Sequence, residues 1–196
     1  MLLTFGHSNY RIEYFIDILK KYNIDCLVDI RSISKPMYAT EFNKRKISEI
    51  LKANGIKYID MTNELGEKRE NNNLYTNGVV DFSKLSMDND FQDGLNRIKL
   101  GLTKNYNILL MCVEKNPKDC HRAILISRNL RKITKIKHII NMNDSITQEE
   151  LDDILILENL SESDKEGLTR EEIVDMAYKV TNKKIGYKKY KTLNNR

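Results

Sequence analysis

In the eleven residues 112–122 the chain packs thiol, carboxylate, imidazole and guanidinium groups into one connection: Cys112, Glu114, Lys115, Asp119, Cys120, His121 and Arg122. Pro117 stiffens it, and Asp119 has the side chain of a helix cap, which places Cys120, His121 and Arg122 in a first helical turn. Such a turn stabilises anions, so a Cys120 thiol there would ionise more readily and His121 would stay neutral. In one chemistry, the free amides of that turn bind a phosphate together with Arg122, Arg31 and Lys115. In a second, Cys120 or Cys112 is a nucleophile served by His7 or His121. A metal site is not expected. The cysteines form no close C-x-x-C pair, and adjacent Cys120 and His121 would project in different directions from a helix. In a purely structural reading Cys112 is buried, Asp119 caps and Arg122 lies on the surface.

Two other short motifs carry chemistry. In Gly6-His7-Ser8-Asn9, a glycine precedes the histidine and would let a ligand approach the backbone, with Ser8 and Asn9 in support. The alternative for His7 is a hydrogen-bonded turn. Asp29 and Arg31 stand two apart at a strand end, so they share a face and can pair. If functional, Arg31 clamps an anion while Asp29 or Glu114 acts as general base. His138 sits in an apolar strand pattern and reads as a core residue.

These groups must be positioned by alternating elements. Strands are expected over 1–5, 24–30, 56–61, 107–113 and 136–140, and helices over 10–22, 44–54, 91–100 and 119–131, from apolar spacing and flanking glycines. Residues 63–81 have no sustained period and read as a long loop. The alternation predicts an α/β fold with a mainly parallel sheet flanked by helices, and ligands in such sheets bind beyond the carboxyl ends of the strands. That rule gathers His7, Asn9, Asp29, Arg31, Asn63, Glu64, Glu114 and Lys115 at one edge. Further on, Thr147 with Glu150 and Thr169 with Glu172 have capping-box spacing, predicting two more helices as a C-terminal appendage.

The chain has 196 residues and a net charge of +5, enough for one domain and an extension. Segment 144–175 is acidic, 176–196 has no acid at all, and 1–143 is clearly basic, compatible with a phosphate-bearing small molecule or a nucleic acid as partner. The tail Tyr187-Lys188-Lys189-Tyr190-Lys191 interleaves aromatics with bases, as single-strand nucleic-acid binders do and as solvated termini do. No apolar run approaches a membrane span, and residues 1–5 are too short for an export signal. A cytoplasmic protein with reduced thiols is therefore expected; Cys26, in an apolar strand, is a buried filler.

Several ordered motifs resemble the bacterial and archaeal family known as domain of unknown function 488: Gly6-His7-Ser8-Asn9, Leu27-Val28-Asp29-Ile30-Arg31-Ser32, Phe42-Asn43-Lys44, Gly55-Ile56-Lys57-Tyr58, Glu64-Leu65-Gly66, Asp81-Phe82, Phe91-Gln92-Asp93-Gly94-Leu95 and the 112–122 segment. The resemblance covers about the first 140 residues and implies a DUF488-like domain over 1–143, with 144–196 a helical extension ending in a basic tail. It supports a site without naming a reaction. The chain departs from the family pattern after Arg31, with Ser34, Pro36 and Met37 where proline, serine and arginine are usual. Lys35 is the replacement for the missing arginine. Glu67 follows Gly66 where a second glycine is usual. The strand, cysteine loop and helix order is also similar to cysteine phosphatases and rhodaneses, but Lys118 stands where the phosphatase arginine belongs.

The expectation is thus a site at the strand ends. Three readings stay open: an enzyme acting on a phosphate-containing substrate, a non-enzymatic nucleic-acid or regulatory binding module, and a thiol-based redox or sulfur-handling protein. The chemistry candidates are His7, Asp29, Glu114 and Cys120; the anion contacts are Arg31, Lys115, His121 and Arg122; Ser8, Asn9, Lys35 and Cys112 support them.

Overall fold

The structure, a computed structural model, describes residues 1–32 and 40–189. Its strands are β1 (Leu2–Gly6), β2 (Cys26–Asp29), β3 (Lys57–Asp60), β4 (Tyr75–Thr76), β5 (Val79–Val80), β6 (Ile108–Cys112), β7 (Ile136–Ile139) and β8 (Ser145–Thr147). The α-helices are α1 (Ile12–Lys21), α2 (Lys44–Ala53), α3 (Thr62–Leu65), α4 (Phe82–Leu85), α5 (Asn89–Thr103), α6 (Arg128–Leu130), α7 (Gln148–Asn159) and α8 (Arg170–Ile185).

Six strands form one sheet in the order β3-β2-β6-β1-β7-β8. All neighbours are parallel except β8, which returns antiparallel on β7. The fold is the expected α/β layer structure with a mainly parallel sheet. Side chains alternate along the central strands, so the two sheet faces meet different helices. Leu109 and Met111 of β6 join Leu3 and Phe5 of β1 against Phe15 and Leu19 of α1 and Ile47 and Leu51 of α2. Ile108, Leu110 and Cys112 face the other way, toward Phe91, Leu95 and Ile98 of α5 and residues of α7 and α8. Chain leaving β1 therefore passes to one face and chain leaving β6 to the other. The crevice between those adjacent strand ends is the topological switch point, where open parallel sheets bind ligands.

The structure corrects two local expectations. Residues 63–81 are not all loop: they contain a two-stranded hairpin of β4 and β5, closed by Asn77 and Gly78, both with positive φ (53° and 79°). Asparagine and glycine supply that geometry at little steric cost, but strands of two residues leave no period to detect. The expected helix over 119–131 is broken. Pro117–Asp119 is a 3-10 turn, Cys120 is extended (φ −139°, ψ 136°), Arg122–Ser127 is a π-helical segment, and α6 follows. Asp119 does not cap that helix. The Cys120 carbonyl instead accepts the amides of Ala123 and Ile124.

Both C-terminal capping boxes form, Thr147 with Glu150 and Thr169 with Glu172. A buried hydrogen-bonded chain joins these helices to the sheet. Thr4 Oγ1 lies 2.9 Å from His138 Nδ1, His138 Nε2 lies 3.1 Å from Gln148 Oε1, Gln148 Nε2 donates to Tyr178 Oη (2.6 Å), and Tyr178 donates to Asp152 (2.6 Å). His138 is thus a core residue with partners on both ring nitrogens. Among the described residues, no helix is long and apolar enough to cross a membrane.

Candidate functional site

The ends of β2, β6 and β1 lie side by side, with Gly6 opposite Cys112 and Asp29 opposite Met111. Pairing continues past the strands: the amides of His7 and Ser8 donate to the carbonyls of Cys112 and Val113, both at 2.9 Å. Ser8 turns the chain away with a φ of 45°, a conformation a non-glycine residue seldom adopts. The segment after Cys112 then crosses Gly6 so closely that a Cβ would collide with the Glu114 carbonyl. What approaches the Gly6 backbone is therefore the protein's own loop. Arg122, fully buried, fixes that loop by donating from Nη1 to the Glu114 carbonyl (2.6 Å) and from Nη2 to the Lys115 carbonyl (2.9 Å).

Asp29 and Arg31 form a buried two-point pair, with Nε to Oδ1 at 2.8 Å and Nη2 to Oδ2 at 2.6 Å. Nη2 also donates to the Phe42 carbonyl (2.8 Å), and Tyr58 donates its hydroxyl to Asp29 Oδ2 (2.8 Å). Arg31 Nη1 lies 3.3 Å from His7 Nε2, and His7 Nδ1 lies 2.9 Å from the Ser8 carbonyl oxygen. A carbonyl only accepts, so the proton of His7 is on Nδ1 and the Nε2 lone pair faces Arg31. The ring stacks on Phe42 with centroids 4.2 Å apart. Burial, then the Arg31 charge, push the His7 pKa down to about 4, so the imidazole is neutral at pH 7.

On the other side of the crevice lies a thiol centre. The Sγ atoms of Cys112 and Cys120 are each 3.0 Å from Glu114 Oε2, and Cys112 Sγ is 3.8 Å from His121 Nδ1. Both cysteines and His121 are buried. The other histidine nitrogen, Nε2, lies 3.1 Å from the Ile30 carbonyl and must carry the proton that bonds it. Glu67 Oε1 stands 3.9 Å from Nδ1. Burial and then Cys120 hold the Cys112 thiol well above its ordinary range. Burial also opposes ionisation of Cys120, but its hydrogen bond with Cys112 and the charges of Arg122 and His121 prevail and bring it well below. Burial, and next the Cys120 charge, raise Glu114 to about 7. His121 rises to about 9: burial works against this, while its bond to Cys120 and the negative groups around it outweigh burial.

The sequence-derived residues thus divide. His7, Asp29 and Arg31 form one cluster; Cys112, Glu114, Cys120 and His121 form another; Arg122 braces the loop between them. Ser8, Asn9 and Lys115 lie toward the surface, Lys115 with its ammonium 5.7 Å from the Tyr10 ring. Lys35 lies outside the described residues. Phe42, Tyr58 and Glu67 were not singled out as site residues from spacing, because each comes from a different connection and reaches the strand ends only through the fold.

The family model for the domain of unknown function DUF488 matches residues 11–129, and the chain belongs to that family. No curated protein and no solved structure matches the chain.

Proposed function

We propose that this DUF488 protein is a thiol-based redox protein in which Cys112 and Cys120 interconvert between dithiol and disulfide. The observation that carries this reading is Glu114 Oε2, 3.0 Å from both sulfurs. A carboxylate between two buried thiols contributes nothing to apolar packing, whereas it suits proton movement between sulfurs. Cys120 is the attacking group: it stands at the start of a helical segment beside His121 and Arg122, which favour its thiolate. Cys112 keeps its proton and resolves.

With both sulfurs buried, a small oxidant such as a peroxide is the fitting co-substrate. The Cys120 thiolate attacks one peroxide oxygen; the S–O bond forms, the O–O bond breaks, and the departing hydroxide takes from Glu114 the proton that Cys120 gave up. Cys112 then attacks the Cys120 sulfur. The S–S bond forms, the S–O bond breaks, and the Cys112 proton leaves with hydroxide as a second water. Two thiols are oxidised and one peroxide is reduced to two waters.

The phosphate-binding reading needs its cations free. Arg31 is engaged by Asp29 and Phe42, and Arg122 by two loop carbonyls, leaving Lys115 facing solvent. The dithiol reading needs neither guanidinium to move. Its direct test is Cys112→Ser, which removes the resolving thiol. Peroxide then yields a Cys120 sulfenic acid that dimedone traps, and failure to trap it at Cys120 while the variant remains folded contradicts the proposal.

A further inference from the structure

We propose that Cys112, Cys120, His121 and Glu114 also form a binding site for one soft divalent metal ion of the zinc class. The donor atoms of Cys112, Cys120 and His121 all lie within 4.8 Å of one another, and Glu114 Oε2 adds a fourth donor on the sulfur side. Tetrahedral coordination with Zn–S bonds of about 2.3 Å and Zn–N bonds of about 2.0 Å separates sulfur from nitrogen by roughly 3.5 Å and two sulfurs by roughly 3.8 Å. Cys112 Sγ and His121 Nδ1, 3.8 Å apart, are already close to that spacing. The Glu114 carboxylate would complete the set by drawing back about half an ångström from each sulfur and turning toward His121.

Two features of the backbone make this set available. A helical run from Asp119 would send the adjacent Cys120 and His121 side chains apart; the extended Cys120 (φ −139°, ψ 136°) turns both to the same point. His121 is also oriented as a metal ligand. Its Nε2–H is held by the Ile30 carbonyl at 3.1 Å, which orients the ring with Nδ1 toward the sulfurs, where a metal ion displaces the Nδ1 proton. Two thiolates and a carboxylate around a divalent ion leave one net negative charge. The buried Arg122 guanidinium, whose Nε has no hydrogen-bond partner among the described residues, is a countercharge for it. Two sulfurs with one nitrogen favour zinc or cobalt over magnesium or calcium, which take oxygen shells.

Bound metal would keep both sulfurs as thiolates and withhold them from oxidation; this consequence, though not the binding, rests on the dithiol reading. The test titrates Co2+ into the reduced full-length protein without oxygen. The expected result is a thiolate-to-cobalt charge-transfer band that saturates at one ion per chain and is bleached by Zn2+. Cys120→Ser and Cys112→Ser should each abolish the band, and His121→Gln should weaken binding by at least about tenfold. Wild-type protein giving no such band, or Cys120→Ser retaining it, overturns the metal site. The two readings fail separately: metal-free protein that forms the disulfide yet never shows the band loses this inference and keeps the proposed function.

Discussion

Gly6 lies directly beneath the Glu114 carbonyl: a Cβ on Gly6 would stand 2.6 Å from the Glu114 carbonyl carbon and 3.2 Å from the Lys115 Cα. Backbone meets backbone there, so no flexible side chain can yield. Gly6→Ala should therefore displace the loop that carries Glu114 and cost about 3 kcal/mol of folding stability, the upper end of the usual overpacking cost. Urea unfolding checks this, and a midpoint equal to that of the wild type contradicts the crossing.

The Asp29–Arg31 pair is a brace before it is anything else, since its charges are buried and bonded to each other. Asp29→Asn preserves shape but leaves the Arg31 charge uncompensated, with an expected loss of about 3–5 kcal/mol. Arg31→Met together with Asp29→Leu should recover part of that loss. A folded, wild-type-stable Asp29→Asn would show that the pair does not hold the site.

Much of this was legible in the sequence. The period of Ile12, Phe15, Ile16 and Leu19 gave the helix, and the apolar run at 107–113 gave the central strand. With the rule for parallel sheets, these placed His7, Asp29, Arg31 and Glu114 at one edge. Missing was the backbone of 117–127. An extended Cys120 followed by a π-helical segment has no periodic signature, yet it determines whether Cys120 and His121 diverge or converge. The Asp29–Arg31 pair was legible from spacing, but the further bond of Arg31 to Phe42 and both bonds of Arg122 were hidden for another reason: their acceptors are the carbonyls of Phe42, Glu114 and Lys115, which any residue type supplies.

His138 gives the fold an acid-sensitive link. Burial, and then the Arg122 charge, hold its pKa at about 3, against 6.5 for the free side chain. Above pH 6.5 both folded and unfolded chains carry it neutral. As pH falls from 6.5 toward 3, only the unfolded chain takes up the proton, so stability drops by about 1.4 kcal/mol per pH unit. Denaturation curves between pH 6.5 and 5 should show a slope smaller by about that amount in His138→Gln than in the wild type. An unchanged slope in the variant would exclude His138 as its source.

Cys26 provides an internal control. It lies at the start of β2, paired with Ile108 at the opposite end of the strands from Cys112, and burial pushes its thiol up to about 11. It should react slowly with both oxidant and alkylating agent, and Cys26→Ser should leave peroxide consumption unchanged. Loss of consumption in that variant would place the redox chemistry elsewhere.

The central claim is that Cys112 and Cys120 act as one dithiol. Reduced, metal-free wild-type protein treated with one equivalent of hydrogen peroxide, then alkylated, digested and mapped by mass spectrometry without reductant, tests it most directly. The account predicts a Cys112–Cys120 linked peptide and an alkylated Cys26. Recovery of Cys112 and Cys120 as alkylated thiols, or oxidation falling on Cys26, contradicts it.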